Sequence, residues 1–127
     1  MKEMKLKIQI NRPVTEVFTF CINPDNTPNW VESIVVEETN EWPVRLGTIY
    51  KNQRKNGESN EMVVTAFDEN KIFFLKQNSN NLEVKYTFTQ ITPDQTELIY
   101  ELVYEGDLEE SVIQKLLDNL KRVMESE

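Results

Sequence analysis

One long amphipathic pattern closes the sequence, and it needs a large apolar surface to pack against. After Gly106-Asp107, apolar residues recur with the i, i+3, i+4, i+7 spacing of a helix: Ile113, Leu116, Leu117, Leu120, Val123 and Met124. Acidic residues gather near its start, and Lys121 and Arg122 lie nearer its end, as the helix dipole favours. No other predicted helix is long enough to cover this apolar face, so a sheet must cover it.

The sheet is predicted from segments in which apolar and polar side chains alternate. Residues 2–10 form the first segment, with Met4, Leu6, Ile8 and Ile10 on one face. Further strand patterns follow in the order SIVVEET, TIYKNQRK, ESNEMVVTAFD, IFFLKQ, LEVKYTFTQI and TELIYELVY. Turn signals separate them, the strongest being an Asn-Gly pair, and indicate an antiparallel meander of about seven strands in total.

Prolines divide the chain between its first two strands. Asn11 is predicted to cap a helix that has Pro13 in its first turn, where the missing N–H costs nothing. Asn23-Pro24 ends this helix, and PDNTPNW starts a second short helix that finishes at Trp30. The chain therefore turns a corner through two short helices before the next strand.

Length and charge narrow the class of protein. A chain of 127 residues is expected to form one domain, residues 1–127, with a single core. The net charge is −8, from 22 acidic and 14 basic residues. This balance disfavours nucleic acids and anionic lipid surfaces as partners, and we interpret it as a contribution to solubility.

Several kinds of catalytic and cofactor site are excluded by residues that the chain lacks. It has no histidine and one cysteine, which rules out Ser-His-Asp and Cys-His catalysis and argues against a zinc or copper site. Gly47, Gly57 and Gly106 lie too far apart for a dinucleotide or phosphate-binding loop. We therefore expect no metal and no cofactor.

The single cysteine and the N-terminal pattern bear on location. Cys21 has no intramolecular partner for a disulfide, and MKEMKLKIQI lacks the apolar block of a signal peptide. No run approaches the roughly 18 apolar residues of a membrane span. A cytoplasmic protein without membrane insertion is expected.

The order of these segments resembles that of the START-like (SRPBCC) superfamily, whose helix-grip members include polyketide cyclase-like domains. The resemblance lies in PVTEVF at the first helix, NPDNTPNW after it and LGTIY at a strand start, and it covers nearly the whole chain. It implies an α+β fold in which a curved antiparallel sheet of about seven strands grips the long C-terminal helix. The two short helices would plug one end, with Trp30 at their junction with the sheet, as core or as a ligand contact.

Such a fold implies a cavity between the sheet and the long helix, and strand parity predicts which side chains face it. The residues predicted to line it are Tyr50, Asn52, Arg54, Met62, Val64, Tyr86, Phe88, Tyr100, Leu102 and Tyr104 on strands, with Leu116 and Leu120 on the helix. This set is mostly apolar and aromatic, which is typical of sites for small molecules.

The polar members of this set allow two interpretations each. Arg54 can meet the carboxylate or enolate of a ligand, or it can reach solvent or pair with an acid such as Glu61. The four tyrosines can be core, or their hydroxyls can line a wet or ligand-filled cavity. Cys21, on the apolar face of the first helix, is expected to be an inert thiol. Trp42 is a loop anchor or an exposed contact.

Three functions fit these observations. The first is binding or carrying a small, mostly apolar or amphipathic molecule in the cavity. The second, from the resemblance, is a polyketide cyclase/dehydrase-like enzyme with a tyrosine or carboxylate base, for which Glu61 is the one candidate carboxylate. The third, also from the resemblance, is an interaction module like the activators of the large heat-shock chaperone. The sequence leaves open whether the chain forms a homodimer along an edge strand.

Overall fold

A computed structural model describes residues 1–126, and its elements follow the predicted order. They are β1 (Lys2–Ile10), α1 (Val14–Ile22), a turn of 3-10 helix (Pro24–Asn26), α2 (Thr27–Trp30), β2 (Ile34–Thr39), β3 (Ile49–Arg54), β4 (Ser59–Asp68), β5 (Ile72–Gln77), β6 (Glu83–Thr92), β7 (Gln95–Tyr104) and α3 (Glu110–Glu125). Strands β1 to β7 form one antiparallel sheet, in the order β1-β7-β6-β5-β4-β3-β2. The predicted α+β helix-grip class is confirmed.

Hairpins connect most neighbouring strands of this sheet. Strand β1 forms one edge of the sheet and pairs with β7 along its whole length. The register shifts between Ile34 and Val36 in β2, and between Val64 and Ala66 in β4. Such bulges bend a strand and increase its twist. They help to curve the sheet toward the helix, and the bulge in β2 also changes which side chains face inward.

The long helix α3 lies on the inner face of the sheet. Its stripe of Ile113, Leu117, Leu120 and Met124 is buried, as its spacing predicts. The helix packs mainly against β1 and against α2. Because α3 packs most closely against β1 at one edge of the sheet, a space remains between α3 and the strands toward the opposite edge, which is β2.

The start of α3 differs from the prediction. The helix begins at Glu110, and residues 105–109 form a link between β7 and α3. Gly106 adopts a left-handed φ of +85°, which ends the strand. The Lys2 ammonium then donates to the Gly106 carbonyl at 2.7 Å and lies 3.3 Å from Asp107, so these residues are tied to β1.

The predicted cap of α1 is also wrong. Pro13 occupies the N-cap position, and no side chain caps the helix there. Asn11 is held elsewhere, because its backbone N–H donates to Glu125 on α3 at 2.7 Å. The end of α1 agrees with the prediction, since Asn23 stops the helix and its side chain accepts from the N–H of Asp25.

Trp30 ends α2 as a buried side chain. It is 2% exposed and packs edge-to-face against Tyr86, with 6.5 Å between the ring centroids. The Asn119 amide donates to the Trp30 carbonyl at 3.4 Å and so ties α3 to this corner. This agrees with the expected position of Trp30 at the junction of the short helices and the sheet.

Candidate functional site

A cavity of about 370 Å³ lies between the sheet and α3. Its floor comes from the inner faces of β3 to β7, and its roof comes from α3 and from the chain just after α2. Aliphatic and aromatic side chains make up most of the wall, and polar side chains enter it from β2, β3, β5 and α3 and from the chain around α2. Concave, mostly apolar spaces with a few polar groups are typical of small-molecule sites.

Many of the side chains predicted to face a cavity do line this one. They come from β3, β4, β6 and β7 and from α3: Tyr50, Asn52, Arg54, Met62, Tyr86, Tyr100, Leu102 and Leu116. Strand parity therefore locates this wall correctly. Whether these residues bind a ligand remains a prediction.

Four of the predicted side chains lie elsewhere. Val64 and Leu120 are almost fully buried in the core. Phe88 packs against Phe18 of α1, with 5.1 Å between the ring centroids, so the first helix covers it. Tyr104 is half-buried at the end of β7, where it pairs with Lys2 of β1. The three strand residues have the expected parity but lie too far along their strands to reach the cavity, whereas Leu120 belongs to the buried stripe of α3.

The most polar part of the cavity centres on Glu37 of β2. One carboxylate oxygen accepts from the Thr27 hydroxyl at 2.6 Å, and the other accepts from the Asn52 amide at 3.4 Å. Burial raises the pKa of Glu37 above its ordinary value of 4.5, while the hydrogen bonds from Thr27 and Asn52 act in the opposite direction. A carboxyl group with these properties is suited to hydrogen bonding or proton transfer.

The Asn52 side chain is only partly satisfied. The residue is 6% exposed, and its amide nitrogen donates to Glu37. Its side-chain oxygen is buried and has no hydrogen-bond partner among residues 1–126. Buried polar atoms are nearly always paired, so an orphaned acceptor beside a cavity indicates a missing donor.

Glu37 and its donor Thr27 were not predicted as site residues. Within IVVEET the apolar residues Val35 and Val36 are adjacent, so alternation assigns no clear face. The bulge between Ile34 and Val36 then turns Glu37 inward. A polar inward residue on the next strand, Asn52, was the one available signal, because Glu37 pairs directly with it.

Glu61 does not supply the carboxylate that the sequence suggested. It is exposed and lies 3.7 Å from Lys51 on the outer face of the sheet. Arg54 is half-buried at the cavity and forms no ion pair within the described part of the chain. The expected alternative of an Arg54–Glu61 pair is therefore wrong.

The three tyrosines of the wall have distinct roles. The Tyr50 hydroxyl donates to the carbonyl of Ile22 at the end of α1. Tyr86 and Tyr100 lie edge-to-face, with 5.1 Å between ring centroids. Burial raises the pKa of both phenols above the ordinary 10.0, so each stays protonated at neutral pH. The two groups are available as neutral hydrogen-bond donors rather than as bases.

Cys21 also lines the cavity. It is a free, buried thiol, and burial raises its pKa above the ordinary 9.0. A thiol held in its protonated form is a poor nucleophile. This agrees with the expectation of an inert side chain.

The exposed side chains of the cavity lining lie on α3 and in the chain after α2. Lys115 approaches Glu32 to 3.8 Å, and the Asn119 amide donates to Glu32 at 3.5 Å. Both charged side chains are exposed, so this pair adds little to stability. It does place a charged rim around an apolar interior.

Residues 1–126 contain neither a metal-binding cluster nor a membrane-spanning helix. No group of three or more Cys, Asp or Glu side chains is placed to hold a metal ion. No helix there is both long and apolar enough to span a bilayer.

Comparison with known proteins gives structural but not sequence relatives. No protein-family model matches the chain, and no curated protein matches its sequence. Protein MLL2253 from Mesorhizobium loti is similar in structure, with a TM-score of 0.79, 15% identity and 98% coverage of both chains. The Aha1 dimer from Colwellia psychrerythraea has a TM-score of 0.73 and 17% identity, covering 98% of this chain and 97% of that one.

A third similar structure is the di-domain ARO/CYC StfQ from the steffimycin biosynthetic pathway. It has a TM-score of 0.78 and 16% identity, and the match covers 96% of this chain and 44% of StfQ. Identities this low show the fold alone. The sheet, the gripped helix and these neighbours together establish a helix-grip fold.

Proposed function

We propose that residues 1–127 act as one domain that binds a small, mostly apolar molecule between the sheet and α3. The observation that carries this proposal is the cavity of about 370 Å³ with a largely apolar wall. A space of this size is in the range of small-molecule pockets, and an apolar occupant would gain the hydrophobic free energy of leaving water. The protein would then be a carrier or sensor.

The test is binding of a neutral, apolar fluorescent probe, N-phenyl-1-naphthylamine, to the intact protein and to a blocked variant. Leu102→Phe places extra volume in the cavity wall, whereas Ile91→Phe adds the same kind of volume at an exposed position of β6. Binding should weaken in the first variant and persist in the second. Equal binding by both variants, with both folded by circular dichroism, would locate the probe outside the cavity.

A second candidate function is proton transfer on a bound carbonyl compound, as in a cyclase-like enzyme. The observation that favours it is Glu37, a carboxyl group at the cavity whose pKa burial raises. Glu37 would act as the base, and Arg54 would stabilise the enolate that forms.

Hydrogen–deuterium exchange at the central carbon of a 1,3-diketone, followed by NMR, tests this second function. Glu37→Gln should abolish catalysed exchange, and Arg54→Ala should slow it. Glu38→Gln is the matched control, because Glu38 is the next residue and is exposed. Exchange that is unchanged in both Glu37→Gln and Arg54→Ala would exclude this chemistry.

A homodimer or a protein partner is a further candidate role. It is supported by the exposed apolar side chains of Val35 and Val36 on β2, the strand at the end of the sheet, and by Trp42 in the next loop. Exposed apolar edges favour association. A Val36→Lys substitution should then lower the mass measured by light scattering, and a monomeric mass for both proteins would exclude the homodimer.

A cytoplasmic location is kept as a proposal. It is supported by Cys21, which is unpaired and buried, since a free thiol persists best in a reducing compartment. Cell fractionation with an antibody against the protein is the direct test.

A further inference from the structure

We infer that the polar end of the cavity selects ligands that carry a hydroxyl or amine, a group that donates hydrogen bonds. The residues that carry this inference are Glu37, Asn52 and Thr27, which meet where α2, β2 and β3 come together. It rests on the proposed binding function and adds the chemical class of the ligand's polar group.

The first observation is the unpaired oxygen of Asn52. This oxygen is buried, lacks a partner among the described residues, and belongs to a side chain that lines the cavity. While Glu37 is ionised it fixes the amide orientation, because turning the amide over would face the Asn52 oxygen toward a carboxylate oxygen that has no proton to donate. The free position is therefore an acceptor, and only a donor satisfies it.

The second observation is the state of Glu37. The Glu37 carboxylate accepts two hydrogen bonds, one from Thr27 and one from Asn52. A carboxylate has about four acceptor positions, so further acceptor capacity remains. Within residues 1–126 no Lys or Arg side chain forms an ion pair with Glu37. The cavity-lining groups at this end that keep unused hydrogen-bonding capacity, the Asn52 oxygen and the Glu37 carboxylate, are thus acceptors, and they would repel an anionic group.

Arg54 is the competing feature. It lies two residues beyond Asn52 on β3, toward the hairpin, and also lines the cavity. An anionic ligand held by Arg54 would sit nearer that end of the strand. The experiment must therefore separate recognition by donors from recognition by charge.

The rest of the wall indicates a ring system as the body of the ligand. Phe73, Tyr86 and Tyr100 all line the cavity, and their rings lie within 5.4 Å of one another in successive pairs, centroid to centroid. Aromatic rings pack well against such edges and faces. A naphthalene ring with different substituents is a suitable set of matched probes.

Calorimetry with 2-naphthol, 2-naphthylamine, 2-methoxynaphthalene and 2-naphthoate tests the inference. The hydroxyl and amine compounds should bind about tenfold more tightly than the methoxy compound, which cannot donate, since one satisfied buried acceptor has that order of effect. In Asn52→Leu this preference should fall to near unity. Gln53→Leu is the matched control, an exposed neighbour on the same strand, and should keep the preference.

Each other outcome has a distinct meaning. Equal binding of the four compounds to the native protein would overturn the inference while leaving the proposed function intact. Tightest binding of 2-naphthoate, lost in Arg54→Ala, would show that the site selects anions and would also overturn it. No binding of any compound would overturn the proposed function and the inference together. If Asn52→Leu does not fold, Glu37→Gln replaces it, because an amide offers fewer acceptor positions and should also reduce the preference.

Discussion

Glu37 and Asn52 face each other across β2 and β3, and the Asn52 amide donates to the Glu37 carboxylate at 3.4 Å beside the cavity. The pair joins a carboxyl group to a buried amide whose own oxygen has no partner among the described residues. Because a buried polar atom without a partner reduces stability, a ligand that donates to the Asn52 oxygen would remove this cost.

The stability of the protein should depend on pH through Glu37. Its pKa is raised in the folded state, so the folded protein holds this proton more tightly than the unfolded chain does. The stability contributed by the proton is present below the ordinary pKa of 4.5 and is lost as the pH rises through the raised folded value. Glu37→Gln should therefore gain stability relative to the native protein as the pH rises above 4.5. Urea denaturation at a series of pH values measures this difference.

Glu125 provides a control, because its pKa is shifted in the opposite direction to that of Glu37. Burial alone would raise its pKa, but hydrogen bonds from the Lys121 ammonium and the Asn11 backbone lower it overall. Its contribution is present above the ordinary 4.5 and is lost as the pH falls through the lowered value. Glu125→Gln should thus lose stability relative to the native protein as the pH rises. The same trend for both variants would contradict the surroundings assigned to Glu37.

Trp30→Ala should destabilise the protein by about 3–5 kcal/mol, because it leaves a large cavity in the core. Trp30 is 2% exposed, whereas Trp42 is 54% exposed, so Trp42→Ala should change the free energy of unfolding by about 0.5 kcal/mol or less. Chemical denaturation gives both values. An unchanged melting temperature for Trp30→Ala would disprove its place in the core.

Tyr50→Phe should cost about 1–3 kcal/mol, since it leaves the carbonyl of Ile22 without its donor. Tyr104→Phe is the matched substitution at a half-buried position where the hydroxyl forms no hydrogen bond within residues 1–126, and it should be nearly neutral. Thermal and urea unfolding compare the two variants. Equal losses would argue against a structural bond between β3 and α1.

Cys21 should resist thiol reagents in the folded protein. Its side chain is buried and its pKa is raised by burial, so the reactive thiolate is scarce. Ellman's reagent should titrate no thiol in native buffer and one thiol in denaturant, since the chain has one cysteine. Rapid labelling of the native protein would show that this wall of the cavity opens to solvent.

The order of elements could be predicted from the sequence because local patterns dominate it. Alternation in segments such as LEVKYTFTQI and the apolar stripe of α3 both reflect burial on one face, which side-chain chemistry reports directly. The same parity located Tyr86, Tyr100 and Leu102 at the cavity. Short hairpins then set the pairing of β3 to β7, whereas the pairing of β1 with β7 joins distant parts of the chain.

The polar centre of the site could not be predicted in the same way. Glu37 faces inward because β2 bulges between Ile34 and Val36. A bulge interrupts the alternation of apolar and polar side chains from which the inward face of a strand is predicted. The depth of a residue along its strand is also invisible to parity, which is why Phe88 and Val64 lie in the core instead of at the cavity. Both features depend on how the sheet packs under α1 and α3.

The most direct test of the account is native mass spectrometry of the purified protein, alone and with excess 2-naphthol. We predict a noncovalent addition of ligand mass that disappears on denaturation and is reduced in Leu102→Phe but not in Ile91→Phe. A bare protein mass under all native conditions, or an addition that is the same in both variants, would contradict a ligand-binding cavity between the sheet and α3.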